Sequence, residues 1–137
     1  MTEYKLVIDF ALLVLIWMVQ LLIYPGFEYL APMTFHKWHK RYAGSMTLVV
    51  APLMFMQTGL AGYLLYTNPD RFTVIHAVLV ALTWVTTIFI FIPIHHQLDH
   101  RTHDVNLCKK LVDLNWARVI LWTMIVVIHF IQILLRS

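Results

Sequence analysis

Four apolar runs, at residues 6–24, 43–66, 72–94 and 114–135, occupy most of this 137-residue chain, and each carries one thin stripe of polar residues at helical spacing. Crossing the hydrocarbon core of a bilayer takes about 20 mostly apolar residues, and each run is of that length. Polar side chains inside such runs are costly, so they face the bundle interior and often mark a site. The expectation is an all-α, four-helix transmembrane bundle forming one integral membrane domain over residues 1–137.

Composition agrees. Hydrophobic residues make up 61% of the chain and charged residues 12%, and the mean hydropathy is +0.74, far outside the soluble globular range. Connections are short, which leaves no room for a separate soluble domain. The net charge of +3 follows membrane sidedness and implies no nucleic-acid partner. Lys37, Lys40, Arg41, Arg101, Lys109, Lys110 and Arg118 fall at one end, against Lys5, Arg71 and Arg136 at the other. That bias places the two longer connections in the cytoplasm and both termini outside, in an inner (cytoplasmic) membrane. Run one is read as a retained anchor, because Tyr24-Pro25-Gly26-Phe27 follows it in place of a small-x-small cleavage site. Cys108 is the one cysteine, which excludes an intrachain disulfide and a cysteine metal cage.

Punctuation along the chain predicts where helices stop. Pro25 and Gly26 end the first helix. Residues 27–42 alternate aromatic, basic and histidine side chains, suiting a separate interfacial helix. Pro52 predicts a mid-membrane kink. Thr67-Asn68-Pro69-Asp70 reads as a tight turn. Span three is expected to end at Pro93, with a hydrated stretch at 95–104 and a new helix from near Asn106.

The polar stripes sort into two layers by depth. Gln20, Tyr24, His39, His95, Asn115 and Arg118 lie toward the cytoplasmic end. Asp9, His76, His129 and Gln132 lie toward the outer end, with Gln57 nearer the middle. In the outer layer, His76 and His129 on different helices match the way bundles hold haem b through both axial positions. The alternative is that each hydrogen-bonds a neighbour such as Asp9 or Gln57 and stabilises packing.

In the cytoplasmic layer, His36-x-x-His39 and His95-His96-x-x-x-His100-x-x-His103, with Asp99 and Asp104 interleaved, offer imidazole and carboxylate ligands suited to a transition metal. His36, His96, His100 and His103 fit a hydrated surface without a ligand role. His39 and His95 stand at helix mouths where the polar faces converge, as metal ligands or as acid-base groups. Arg118, one turn inside its span, either snorkels or binds an anionic oxygen beside Asn115.

These residues also carry a resemblance. Val19-Gln20…Tyr24-Pro25-x-Phe27, Phe35-x-x-Trp38-His39-x-x-Tyr42, Pro52-x-Met54-x-x-Gln57, Trp84-x-x-Thr87…Pro93-x-His95-x-x-Leu98 and Asn115-Trp116-x-Arg118-x-x-x-Trp122 follow in that order. The set resembles a group of small bacterial four-span membrane proteins similar to the anthrone oxygenase-like proteins, over nearly the whole chain. Two positions depart from that pattern: Tyr42 stands where it has a histidine, and Gln57 where it has a glutamate. A fainter likeness runs to the membrane-bound protoporphyrinogen oxidases.

Three functions follow as expectations. The first is a membrane oxidoreductase or oxygenase-like protein. It would take a hydrophobic aromatic or quinone-like small molecule from lipid, with His39 and His95 as acid-base groups and Arg118 and Asn115 as oxyanion donors. The second is a haem- or pigment-binding accessory subunit of a larger membrane complex or homo-oligomer. The third is a proton or ion path along the polar column.

Overall fold

The computed structural model describes residues 2–100 and 103–137. Four long helices account for nearly all of them: α1 (Thr2–Tyr29), α2 (Pro32–Thr67), α3 (Arg71–His100) and α4 (Val105–Arg136), each long and apolar enough to cross a membrane. α1 packs on α2, α2 on α3, α3 on α4, and α4 back on α1, closing a four-helix ring. The short connections make neighbours antiparallel. Both chain termini and the 68–70 turn therefore share one end, called here the terminal end. The connections at 30–31 and 101–104 lie at the other, the histidine end; Arg101 and Thr102 lie outside the described residues.

The outward faces are apolar, including Phe10, Val14, Leu21, Leu48, Phe55, Val78, Phe89, Ile120 and Leu134, all exposed. Lipid solvates such a surface; water does not. The inward faces carry the polar stripes. Asp9, Gln20, His39, Gln57, His76, Thr83, Asn115, Arg118, His129 and Gln132 are all buried. Lys5, read from the sequence as a flanking cation, is buried as well, at 4% exposure.

Two helix ends differ from the sequence expectation. No separate interfacial helix forms, because residues from Pro32 onward run straight into α2, and Pro52 lies within that continuous helix. At about 1.5 Å per residue, 36 residues span about 54 Å, well beyond a hydrocarbon core of about 30 Å. The aromatic and basic residues of 32–42 thus occupy a helical extension of the span. Pro93 does not end α3; the α-helical part of α1 does stop at Gly26, beside Pro25, as expected. Each proline follows a wide i→i−5 turn, Thr87–Phe91 in α3 and Val19–Ile23 in α1. In those turns the Ile92 and Tyr24 amides donate to Thr87 and Val19 carbonyls. A proline ring collides with the carbonyl four residues back in a regular helix; widening the preceding turn removes the collision. α1 then closes in a tight 3-10 turn, Phe27–Tyr29.

At the terminal end, Asp70 caps α3. Its carboxylate accepts from the Thr73 amide at 2.8 Å, and the Thr73 hydroxyl accepts from the Asp70 amide at 2.8 Å, a reciprocal capping box. Arg136 at the end of α4 pairs with the same carboxylate.

Candidate functional site

Continuation of α3 beyond Pro93 puts His95 and Asp99 one turn apart on one helix face, opposite His39 of α2. A single hydrogen-bonded line results. Tyr24 Oη lies 3.1 Å from His95 Nε2, His95 Nδ1 lies 2.8 Å from His39 Nε2, and His39 Nδ1 lies 2.7 Å from Asp99 Oδ1. With Asp99 ionised and both rings neutral, only one set of proton positions satisfies all three contacts. His39 Nδ1–H donates to Asp99, His95 Nδ1–H donates to His39, and the Tyr24 hydroxyl donates to His95. The line has a direction. It runs from Tyr24, 3% exposed, to the Asp99 carboxylate, whose side chain is 24% exposed.

Aromatic packing fixes the imidazoles. His39 stacks on Phe35 at a centroid distance of 5.5 Å, lies nearly coplanar with His95 across their hydrogen bond, and meets Phe27 edge-on at 5.6 Å. Phe27 and Phe35 are fully buried. His39, also fully buried, therefore has its ring plane set by packing and both nitrogens set by hydrogen bonds.

Tyr24 opens onto a cavity of about 450 Å³ inside the bundle, within the range of small-molecule sites. Its floor is formed by Leu12 and Met54, and its mouth reaches His96 and Asp99. Between them the walls are mainly apolar, and Tyr24, Tyr42, His95, Arg118 and Trp122 contribute polar groups. Ala43, Thr47 and Ala51 recur every fourth residue along α2 and form one wall, so small side chains leave the space open.

Arg118 is 8% exposed and takes part in no ion pair among the described residues. Its guanidinium sits 4.3 Å from the centre of the Phe91 ring and 5.4 Å from that of Trp122, and it faces the Tyr24 hydroxyl. Its Nε has no hydrogen-bond partner, nor does the indole nitrogen of Trp122 one turn along α4. Both donors are buried, on residues that line one cavity wall, and leaving them without acceptors is costly.

The structure distributes the sequence candidates unevenly. His95 and Arg118 line the cavity; His39 stands behind His95 and touches the cavity only through it. Asn115 does not line it. Its amide donates to Gln20 Oε1 at 2.9 Å, and Gln20 donates to the Val112 carbonyl at 3.2 Å, a clasp between α1 and α4. Beside Arg118 the cavity wall therefore carries Trp122, where the sequence expectation had placed Asn115. For a metal at His39 and His95, both nitrogens of both rings are already engaged, and no cluster of three or more His, Cys, Asp or Glu ligands occurs among the described residues.

His76 and His129 likewise face partners inside the bundle. His76 Nε2 contacts Asp9 at 3.1 Å, and His129 Nδ1 contacts Lys5 Nζ at 3.1 Å. Each contact is of the kind the packing alternative names, while His129 Nε2 has no partner. Among the remaining histidines, His96 and His100 stack on each other at the surface, and His103 contacts the Phe27 carbonyl at 2.9 Å.

Tyr24 and Trp122 are site residues that the sequence left without a role, and Asp99 is one it offered only as a metal-ligating carboxylate. The i, i+4 spacing of His95 and Asp99 was the available signal, hidden by the expected helix end at Pro93. Comparison with protein-family models, curated proteins and solved structures finds no match for this chain.

Proposed function

We propose that the cavity binds a hydrophobic aromatic or quinone-like molecule bearing an ionisable oxygen, and that the Tyr24–His95–His39–Asp99 line exchanges a proton with it. The observation that carries this reading is Arg118, buried without an ion pair among the described residues, on the wall of an apolar cavity that also meets the inner end of the relay. An apolar ring satisfies the walls, and an oxygen pairs with the guanidinium.

The chemistry is a proton abstraction. A ring hydroxyl donates to Tyr24 Oη; the Tyr24 proton passes to His95 Nε2, the His95 Nδ1 proton to His39 Nε2, and the His39 Nδ1 proton to Asp99. One negative charge moves from Asp99 to the ligand oxygen, where Arg118 stabilises it. Asp99, partly exposed, returns the proton to water. An ionised electron-rich ring reacts with dioxygen directly, which makes a cofactor-free oxygenase the matching enzyme class. It agrees with the resemblance to anthrone oxygenase-like proteins, a likeness that rests on the quoted residues. The Lys/Arg bias puts the histidine end in the cytoplasm and both termini outside.

The test is binding of a hydroxynaphthoquinone to the protein in lipid nanodiscs, read by quenching of tryptophan fluorescence. Saturable quenching is expected, weakened about tenfold or more in Arg118→Gln, the loss of a hydrogen bond to a charged group. Quenching that never saturates, or that Arg118→Gln leaves unchanged, overturns the proposal.

A further inference from the structure

A second polar cluster fills the terminal half of the bundle, and the relay does not use it. All four helices contribute. Asp9 Oδ1 accepts from Gln57 Nε2 at 2.7 Å, and Asp9 Oδ2 accepts from His76 Nε2 at 3.1 Å. Lys5 Nζ donates to His129 Nδ1 at 3.1 Å. Lys5, Asp9, Gln57, His76 and His129 are all 4% exposed or less. With Lys5 donating to Nδ1, His129 carries its proton on Nε2, and that atom has no partner; Gln57 Oε1 has none either. A cluster serving only to lock helices together would leave neither group open.

The cluster lies between the terminal surface and the cavity. Toward the surface, Gln132 lies beside Lys5's end of the bundle, and its amide oxygen accepts from Arg136 at 3.1 Å once the amide is oriented for its neighbours. Arg136 in turn pairs with Asp70, and both are solvent-accessible, at 57% and 32% side-chain exposure. Inward, Asp9 stands three residues before Leu12 and Gln57 three after Met54, and Leu12 and Met54 form the cavity floor. That gap is about 4.5 Å of helix rise. Thr83, fully buried, and Thr87, on the cavity wall, continue the same face of α3 from His76.

We infer that this cluster is a proton path from the terminal face to the cavity, with Asp9 as the group that takes up and releases the proton. Only a proton moves. The Asp9 carboxylate becomes a carboxyl and then returns to carboxylate as the proton passes to water in the cavity, while His76 and Gln57 hold it in place. The groups that set its charge balance are Lys5 on α1, His76 on α3, His129 on α4, and the Asp70–Arg136 pair at the surface. Together with the relay to Asp99, the cavity then communicates with both faces of the membrane. The inference rests on the cavity and not on the identity of any ligand.

Proteoliposomes of phosphatidylethanolamine and phosphatidylglycerol, carrying an entrapped pH dye and a valinomycin-clamped potassium gradient, test it. The wild-type chain is expected to admit protons faster than protein-free vesicles. Asp9→Asn should cut the rate about tenfold or more, one tenfold step being about 1.4 kcal/mol of barrier. Asp9→Glu should restore it. Thr67→Ala, an exposed position on α2 outside the cluster, should leave the rate unchanged. Wild-type flux no greater than that of empty vesicles overturns the inference. So does an unchanged rate in Asp9→Asn, or a loss in Thr67→Ala as large as in Asp9→Asn. Hydroxynaphthoquinone quenching, measured on the same preparations, separates these failures from failure of the cavity's ligand reading.

Discussion

Replacing Arg118 by methionine should strengthen the fold while it weakens the site. Arg118 is buried, without a carboxylate partner among the described residues, and its protein contacts are mainly the faces of Phe91 and Trp122. An arginine at a span's centre costs about 2.5 to 3.5 kcal/mol on insertion scales, the upper bound for Arg118 one turn inside. Two cation–π contacts return about 0.5 to 1 kcal/mol each at partly wet sites. Methionine has similar length and keeps the packing against both rings. The balance is a gain of about 1 kcal/mol or somewhat more for Arg118→Met in the absence of ligand. Binding of an oxygen-bearing aromatic loses one charge-assisted hydrogen bond, about 1.5 to 3 kcal/mol, or a factor of about 10 to 150 in affinity. Unfolding curves in mixed micelles and quenching titrations read the two effects on the same protein. A variant destabilised by more than about 1 kcal/mol would show that Arg118 holds the bundle together, and the argument from its missing partner would fail.

Other expectations follow from the same geometry. Tyr24→Phe keeps the ring but removes the relay's inner donor, so ligand binding should persist while proton release on binding disappears; equal release in both proteins contradicts the proton assignments. Asp99→Asn should slow proton transfer, whereas His100→Ala, at an exposed ring outside the relay, should leave transfer and stability within about 0.5 kcal/mol of wild type. Asp70→Ala should cost about 1 kcal/mol through loss of the helix cap. The Thr73 amide, foremost among its partners, holds the Asp70 carboxyl below the usual carboxylate range. That stabilisation is therefore complete above the ordinary carboxyl value of about 3.9 and fades as pH falls through the lowered one. Melting curves of wild type and Asp70→Ala should differ at neutral pH and converge in strong acid. Reporter fusions at Asp70 and at Asp104 should report opposite sides of the membrane, with the Asp104 fusion cytoplasmic; the reverse signal overturns the orientation.

The bundle was legible because hydropathy and polar periodicity act over whole helices. Asp9, Gln20, His39, Gln57, His76, Asn115, Arg118 and His129 all face inward, as their 3.6-residue spacing required. Proline was the poorer guide. Pro25 does stand at the end of the α-helical part of α1, but at Pro93 a widened turn costs less than exposed backbone in a bilayer, and α3 continues to His100. That one misreading moved His95 and Asp99 from a loop to a helix face and concealed the relay. The pairing of Asn115 with Gln20 was equally hidden, since spacing gives the face of a residue and not its partner. Lys5 shows the same limit: a charge near a span boundary reads as a flank until its four-carbon stem is seen turning inward to His129.

The most direct measurement is the ionisation state of a bound indicator. A hydroxynaphthoquinone whose visible absorption distinguishes phenol from phenolate, added to the wild-type protein in nanodiscs below its own solution midpoint, should bind as the phenolate, with a matching proton appearing in the medium. The same ligand should remain protonated on Arg118→Met and should release no proton from Tyr24→Phe. A ligand bound in its neutral form to the wild type, with no proton released, would contradict a site built to hold an anionic oxygen at Arg118 and to carry its proton to Asp99.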